Sequence, residues 1–272
     1  MVKGLHPSGG PGILQDNLLS VDASIASACK ELIERARGAE TVEEIHGICA
    51  RLCDWAGFDS FIYGAEFPVS FVRPQTVIIS GFPRDWRDHY EARNYIRVDP
   101  TVRHCITRTT PLIWNDIAPL DEQDEALVRQ FMGEAADFGL RSGVSFPTHG
   151  QRGEAAMLSL VSELSHTRIA ERLFAAMPVG QLLVGYVHEA ARRVFERDKL
   201  VLDRVNLTAR ERECLLWAAE GKTTADTAQI LAISERTVIF HLQNAAQKLD
   251  VVNRSQAVAR AVSQGYIKPQ FN

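Results

Sequence analysis

The segment 206–265 constrains this chain more than any other, because local sequence signals place short helices in it at close spacing. Thr208 and Glu211 have the Ser/Thr-x-x-Glu spacing of a capping box, which predicts that a first helix begins there. Gly221 is typical of a helix end, since glycine adopts the left-handed conformation without steric cost. The capping box and the glycine therefore predict one short helix between them.

A second and a third helix follow after very short connections. The pattern predicts a second helix over 224–231, after which residues 232–234 turn the chain. Ser234 is well placed to cap a third helix that reaches Leu249, because a serine hydroxyl can accept a hydrogen bond from the first helical turn. Helix, short turn and capped helix form a helix-turn-helix, a geometry that reads the major groove of DNA. We therefore expect this chain to bind DNA.

The two faces of the third helix carry different residue types. Core packing is predicted for an apolar stripe at steps of three and four: Val238, Leu242, Ala245 and Leu249. The opposite face and the start of the second helix carry the predicted DNA contacts: Thr223, Thr224, Arg236, Thr237, Ile239, Phe240, Gln243, Asn244 and Lys248. Amides can pair with an adenine edge and apolar groups can meet a thymine methyl, whereas Arg236 and Lys248 suit phosphates. A merely solvated face would usually show alternating charges, so this composition favours base reading.

The charge of the chain is divided unequally between its two parts. From residue 206 onward, eight Lys and Arg against six Asp and Glu give +2, and 22 against 28 in the remainder give −6, which together make the overall −4. A weakly basic segment gains little non-specific DNA affinity from counterion release. We therefore expect a homodimer on an operator with two half-sites.

Two runs in the DNA-binding segment match a known family motif. They are LTARERECLLWAAEGKT and ISERTVIFHLQNAAQKL, and the matching positions are Glu211, Leu215, Gly221, Lys222, Thr223, Val238, His241, Lys248 and Leu249. These runs resemble the C-terminal domain of the LuxR family of bacterial transcription factors. Ile239 departs from the motif, where a basic residue is common, and so does Thr227, where an Ile-like core residue is usual. The resemblance implies transcriptional regulation, more commonly activation, with RNA polymerase as a further partner.

The length of 272 residues suits two domains better than one. We expect a flexible extension over 1–22, a sensor domain over 23–197, a linker over 198–205 and the DNA-binding domain over 206–272. No run of about 18 apolar residues predicts a membrane span, and the N-terminus lacks the apolar core of a signal peptide. Five scattered cysteines show no metal-ligand spacing and are interpreted as free thiols. A cytoplasmic protein without a cofactor or metal is therefore expected.

The sensor segment alternates helical and β-rich patterns, which predicts an α+β domain with helices packed against an antiparallel sheet. Predicted strands lie near 58–63, 76–80, 143–147 and 156–161, among helices at 23–37, 41–56, 84–93, 121–138 and 179–197. The last helix carries a broad apolar stripe: Val179, Leu182, Leu183, Tyr186, Val187, Ala190 and Val194. Part of this stripe must cover the sheet, and the remainder suits either core packing or a dimer interface.

Aromatic and acidic residues cluster in the middle of the sensor segment. Trp86 and Tyr90 are four residues apart and share a helix face, Asp99 precedes Pro100, and Trp114 follows in an apolar run. An indole N–H donates to a carbonyl and a carboxylate accepts from an amide N–H, so this set can enclose a small polar headgroup. The alternative is that the aromatics are core residues and Asp99 belongs to a turn. Spacing alone leaves both interpretations open.

A second family resemblance bears on that cluster. The WxxxY motif, the following DP, the later Trp and the run DFGLRSGVSFP resemble the autoinducer-binding domain of LuxR-type quorum-sensing receptors. The resemblance implies an α/β/α sandwich, followed here by the small all-α four-helix DNA-binding domain. It also implies an N-acyl-homoserine lactone as ligand, and the match extends over most of residues 40–190, densest from Phe82 to Trp114.

The same resemblance implies a role for each matching residue. Trp86 is expected to donate to the lactone carbonyl, and Asp99 to accept from the amide N–H. Further ligand contacts are expected from Tyr90 and Trp114, which enclose the ligand, from Ser159, which reaches the amide carbonyl, and from Thr101 and Tyr63, which line the pocket. Phe82 departs from the pattern, because many such receptors have a tyrosine there that donates to the amide carbonyl. An altered amide contact is therefore expected.

Three alternative functions have sequence requirements of their own. An enzyme is disfavoured, because Leu216 replaces the first glycine of a phosphate loop and no hydrolase, metalloprotease or dinucleotide motif occurs. A phosphorylation-driven regulator needs an arrangement of aspartates and a lysine that is not visible. A receptor for a non-lactone or host-derived molecule stays open because of Phe82. The predicted mechanism is ligand-linked assembly, in which the sensor closes around its ligand and dimerises.

Overall fold

The computed structural model of the chain describes residues 14–68, 74–150, 153–199 and 205–268. The predicted N-terminal extension lies partly outside these ranges, and a helix already begins at Leu14. Most of the predicted linker, residues 200–204, also lies outside them. Within the described ranges, no helix combines the length and the apolar character needed to cross a membrane.

The helices and strands follow one another in a mixed order through the sensor part of the chain. They are α1 (Leu14–Gly38), α2 (Val42–Ala56), β1 (Ser60–Phe67), β2 (Gln75–Ser80), α3 (Arg84–Ala92), α4 (Pro100–Thr107), β3 (Leu112–Ile113), α5 (Glu122–Asp137), β4 (Ser142–His149), β5 (Ala155–Ser162) and α6 (His166–Lys199). The DNA-binding part contains α7 (Ala209–Ala219), α8 (Thr224–Leu231), α9 (Glu235–Lys248) and α10 (Arg254–Ser263).

The five strands form one antiparallel sheet in the order β2-β1-β5-β4-β3. Helices α1, α2 and α6 pack together on one face, and α4 contacts β4 and β5 on the other. Alternate residues of β1 point to opposite faces, as the strand period requires. The predicted α/β/α sandwich is therefore confirmed, as is the helical domain that follows it.

The main core lies between the sheet and α6. Val179, Leu183 and Val187 are buried there, as the apolar stripe predicts. The helix itself begins at His166 rather than at Val179, so this boundary was predicted wrongly. Pro178 explains the error, because an internal proline removes a helical hydrogen bond and usually marks a helix boundary. Burial of several apolar side chains on either side of the proline holds the helix together across it.

The helix-turn-helix follows its local sequence signals closely. Thr208 and Glu211 form the predicted capping box, and Gly221 has a φ of +77° just beyond the end of α7. Ser234 caps α9, where its hydroxyl accepts a hydrogen bond of 3.1 Å from the backbone N–H of Thr237. A separate small core joins the helices of this domain: Leu207, Leu215, Ala245, Leu249, Ala257, Ala261 and Ile267.

Thr227, which departs from the LuxR-type motif, is accommodated in that domain. Its side chain is buried, and its hydroxyl donates a 2.8 Å hydrogen bond to the carbonyl oxygen of Thr223. A buried hydroxyl is costly only when it lacks a partner. The loosening of the core that a polar residue could cause is therefore limited.

Candidate functional site

A cavity of about 510 Å³ lies in the sensor domain between the sheet and the helices α3, α4 and α5. This volume falls within the range of small-molecule sites. Most of its wall is apolar. Asp99, Thr101 and Ser159 supply polar atoms to it, and aromatic rings from α3 and α5 surround them. The cavity thus combines a polar region with a larger apolar one.

Asp99 is the most heavily hydrogen-bonded residue of the polar region. It caps α4, and its Oδ1 accepts from the backbone N–H of Thr101 at 2.8 Å and from the Thr101 hydroxyl at 2.7 Å. Its Oδ2 accepts only the Tyr90 hydroxyl, at 3.0 Å, among the described residues. Each carboxylate oxygen can accept about two hydrogen bonds. Oδ2 therefore retains one position for a donor that enters the cavity.

The surroundings of Asp99 also shift the ionisation of nearby groups. Burial raises the pKa of Asp99, and the hydrogen bonds from Thr101 and Tyr90 oppose that shift. The pKa of Tyr90 is raised by burial and by the Asp99 charge. Tyr90 therefore stays a neutral phenol that donates to Asp99. This fixed donor orients the carboxylate before any ligand arrives.

Trp86 lies in the centre of an aromatic cluster beside the cavity. Its ring centroid is 5.9 Å from that of Tyr90, 5.8 Å from that of Phe131 and 5.5 Å from that of Phe138. These spacings are those of favourable aromatic pairs, so the indole is held in place by its neighbours. No hydrogen-bond acceptor for the indole N–H is found among the described residues. Because Trp86 lines the cavity, this N–H can donate to a molecule bound there.

Glu134 of α5 forms hydrogen bonds that connect residues on the outer side of this cluster. Its Oε2 accepts from the Tyr95 hydroxyl at 2.5 Å and lies 2.6 Å from Nε2 of His89. Hydrogen bonds from Tyr95, His89 and Gln130 lower the pKa of Glu134 to about 2. The carboxylate is therefore ionised at neutral pH, and it links α5 to α3 and to the turn at Tyr95.

A chain of three polar side chains crosses the sheet side of the cavity. Nε1 of Trp114 donates to Oγ of Ser145 at 2.9 Å, and Ser145 Oγ is 2.8 Å from Ser159 Oγ. The two serines are paired across β4 and β5. A Cβ atom at Gly143 would lie 3.1 Å from the Trp114 ring and 2.6 Å from the Leu160 carbonyl oxygen. Glycine at 143 therefore leaves room for the indole to approach β4 closely.

The cavity contains seven of the eight residues predicted to bind the ligand. Phe82, Trp86, Tyr90, Asp99, Thr101, Trp114 and Ser159 all line it. The prediction for Tyr63 is wrong. Tyr63 lies on the opposite face of the sheet, where it is fully buried and its hydroxyl is 2.9 Å from Nδ1 of His188 on α6. Strand alternation is the reason, because Ile62 and Gly64 face the cavity and Tyr63 must face away from it.

The predicted DNA-reading face of α9 is largely exposed. Ile239 and Phe240 remain 45% and 55% exposed, although such apolar side chains are usually buried. Gln243 and Arg236 are also exposed, whereas Thr237 and Asn244 are partly covered. The exposed apolar and amide groups are therefore available to a partner surface.

Three other predicted DNA contacts take part in the structure of the domain itself. Thr223 caps α8 with Asp226, and Thr224 is the first residue of that helix. Nζ of Lys248 lies 2.8 Å from Oε2 of Glu211 and donates to the carbonyl oxygen of Asn206. A phosphate contact by Lys248 would therefore require its ammonium to leave a buried carboxylate.

Two known protein families match the two parts of this chain. The model of the autoinducer binding domain matches residues 41–191, and the model of bacterial regulatory proteins of the luxR family matches residues 205–261. The chain belongs to the LuxR family. Its two domains are thus the autoinducer-binding and DNA-binding domains of a transcriptional regulator, which is not an enzyme.

Individual LuxR-family relatives resemble almost the whole chain. The transcriptional activator AhyR of Aeromonas hydrophila is 34% identical over 89% of this chain and 92% of its own length. The quorum-sensing-dependent regulator RpaR of Rhodopseudomonas palustris is 37% identical over 87% and 92%. Escherichia coli SdiA has a similar structure, with a TM-score of 0.66 at 27% identity over 88% and 97%, and SdiA in complex with octanoyl-rac-glycerol gives 0.68 at 27% over 88% and 94%.

Several residues of this LuxR-family site were missed by sequence reasoning. Ser145 connects Trp114 to Ser159, and Phe131 and Tyr95 complete the aromatic cluster. A signal for Ser145 was present, since alternation in β4 places it on the same face as Gly143. Phe131 and Tyr95 carry no local signal, because they reach the site only through the packing of α5 and of the turn before α4.

Proposed function

We propose that this LuxR-family regulator binds an N-acyl-homoserine lactone in the cavity of its sensor domain and then activates promoters as a homodimer. The proposal rests on one observation: the cavity presents both a hydrogen-bond acceptor and a hydrogen-bond donor that can still bond to a ligand. Oδ2 of Asp99 has one position free, and the Trp86 indole N–H has no partner among the described residues. An acylated lactone offers the complementary amide N–H and ring carbonyl.

The amide carbonyl of the ligand needs a donor as well, and Phe82 cannot provide one. We propose that Ser159 does so. If Ser145 accepts from Trp114 and donates to Ser159, the hydroxyl proton of Ser159 is free to point into the cavity. Loss of a second donor at Phe82 would cost about 0.5–1.5 kcal/mol, which changes ligand preference without abolishing binding.

A second ligand class is supported by one comparison. SdiA, which is similar to this chain in structure, has been solved with octanoyl-rac-glycerol, an acyl compound that lacks both the lactone and the amide. An acylglycerol could donate a hydroxyl to Asp99 and accept from Trp86. The two classes differ in the amide N–H, so the affinities of a lactone and an acylglycerol of equal chain length distinguish them.

Dimer formation is supported by the outer surface of α6. Phe174 and Leu182 are 64% and 48% exposed, and Pro178 lies between them at helical spacing, so they form one apolar stripe. We propose that this stripe joins two copies of the chain on a two-half-site operator in the cytoplasm. In each copy, α9 would enter the major groove with Gln243 and Asn244 toward the bases. Sedimentation of Leu182→Glu against the unaltered chain, with ligand present, would test the stripe.

The headgroup assignment is tested by Trp86→Phe, with Trp55→Phe as the matched control. Trp55 packs against the main core and does not line the cavity, so its replacement removes an indole elsewhere. Trp86→Phe should lower the affinity for a homoserine lactone by about two- to tenfold, the worth of one neutral hydrogen bond. Isothermal titration of both variants gives the comparison. Equal lactone affinities in the two variants would contradict the proposal.

A further inference from the structure

Three rows of residues cross the cavity face of the sheet, as the strand register shows. In the first row Ser159 pairs with Ile62, in the second Met157 pairs with Gly64, and in the third Ala155 pairs with Glu66. All of these residues line the cavity. The first row lies at the proposed amide contact, so the other two rows lead away from the headgroup. The face is thus polar at Ser159, apolar in the middle and polar again at Glu66.

Gly64 leaves space in the middle row, because it has no side chain to fill the cavity there. Glycine within a strand weakens it and often marks a place where a ligand approaches closely. No turn or positive φ calls for glycine here, since Gly64 pairs regularly with Ile78 and Met157. A Cβ atom at this position would meet only Cγ of Met157, at 4.0 Å. A larger side chain at 64 would therefore extend into the cavity rather than into the protein.

Glu66 and Thr76 belong to the third row, which lies farthest from Ser159. They pair across β1 and β2, and both line the cavity. A hydrocarbon chain that extended past them would have to cover the Glu66 carboxylate. Removing a charged group from water costs a large amount of free energy. The apolar path along the sheet therefore ends at this row.

The register also gives the length of that path. From Ser159 to Ala155 is four residues of β5. Because a strand rises about 3.4 Å per residue, the path is about 14 Å long, the length of about ten extended carbon atoms.

We propose that Gly64 and Glu66 set the acyl-chain length of the ligand, which is a long-chain N-acyl-homoserine lactone of about ten carbons. This inference rests on the proposed function. Gly64 admits the chain across the middle of the sheet, and Glu66 limits it at the far end. Each methylene that fits the apolar path raises affinity about fourfold, and carbons beyond the path gain nothing.

Two substitutions should shift the preference in opposite directions. Gly64→Leu fills the middle row, so the optimum should move to butanoyl or hexanoyl lactone, with more than a tenfold loss for the decanoyl compound. Glu66→Leu extends the apolar path, so dodecanoyl and tetradecanoyl lactones should gain affinity over decanoyl. Glu66→Gln keeps the side-chain length without the charge and should show a smaller gain of the same sign.

The test is a titration of butanoyl to tetradecanoyl lactones against the full-length variants and the unaltered chain. Gly133→Leu is the matched control, since Gly133 is exposed on α5 and a Cβ atom there meets nothing within 4 Å. If Gly64→Leu does not fold, Gly64→Ala provides a smaller shift in the same direction. An unchanged length profile in the Gly64 and Glu66 variants would overturn the inference alone. Failure of the unaltered chain to bind any lactone would overturn the proposed function and this inference with it.

Discussion

Replacing Lys248 with methionine should destabilise the DNA-binding domain. Its ammonium lies 2.8 Å from Oε2 of Glu211, whose side chain is 3% exposed. Removal of one partner of a fully buried ion pair costs about 3–5 kcal/mol, because the other charge stays buried without compensation. The Lys248 side chain is 38% exposed, so water screens part of the interaction. Methionine retains most of the apolar stem, and we therefore expect a loss of about 2–3 kcal/mol.

The pH dependence of this effect follows from the ionisation of Glu211. Burial acts to raise its pKa, but the hydrogen bonds from Lys248 and Thr208 outweigh burial and hold the pKa below its ordinary value of 4.5. A carboxyl group with a lowered pKa in the folded state stabilises the protein above its unfolded pKa, and that stability is lost as pH falls through the folded pKa. The difference between Lys248→Met and the unaltered chain should therefore be greatest at neutral pH and shrink below pH 4.5.

Hydrogen exchange measured by mass spectrometry on peptides of α7 and α9 locates this loss within the full-length chain. Arg236→Met is the matched control, because Arg236 is exposed on the same helix and forms no ion pair among the described residues. It should leave exchange nearly unchanged and reduce the salt dependence of DNA binding. The reasoning is refuted if Lys248→Met exchanges like the unaltered chain while its DNA binding loses salt dependence. Lys248 would then be a phosphate contact rather than the partner of Glu211.

Two further substitutions test the cavity and a helix. Asp99→Asn should lower lactone affinity by about ten- to a hundredfold in calorimetric titration, because an amide NH₂ in place of Oδ2 would face the Tyr90 hydroxyl and the ligand N–H with a donor. Unchanged affinity would remove Asp99 from the headgroup contacts. Gly133→Ala should stabilise the chain by about 0.5–1 kcal/mol, since Gly133 lies inside α5 with open space around it, and a lower thermal midpoint would contradict this.

The DNA-binding domain could be predicted almost residue by residue from the sequence. The starts of α7 and α9 are determined by the capping residues Thr208 and Ser234, and Gly221 lies just beyond the end of α7. Such signals act within one helical turn, so one sequence is enough to read them. The long helix α6 shows the opposite case. Pro178 is a local signal against helix, and burial of side chains distant in sequence overrides it.

Most residues that line the cavity could be predicted from the sequence, but the hydrogen bonds that connect them could not. Trp86 and Tyr90 share a helix face by spacing, whereas the helix α4 that Asp99 caps was not predicted, although proline is common at the first helical position. Tyr63 was misplaced because a shift of one residue in a strand reverses the face to which a side chain points. Ser145 was missed because its importance comes from register, which joins it to Ser159 across two strands. Alternation within a strand groups its residues by face, but it does not say which face meets the cavity or which strand lies beside it.

The apolar rim of the cavity links ligand binding to the stability of the sensor domain. Ile78, Ile96 and Ile106 line the cavity, and they remain 58%, 45% and 47% exposed. An acyl chain that covers half of each side chain would contribute about 1 kcal/mol per isoleucine, or about 3 kcal/mol together. A ligand that binds only the folded state stabilises it by about 2.7 kcal/mol when present at a hundred times its dissociation constant. We therefore expect the stability of the sensor domain, and with it the abundance of the folded chain, to depend on the ligand.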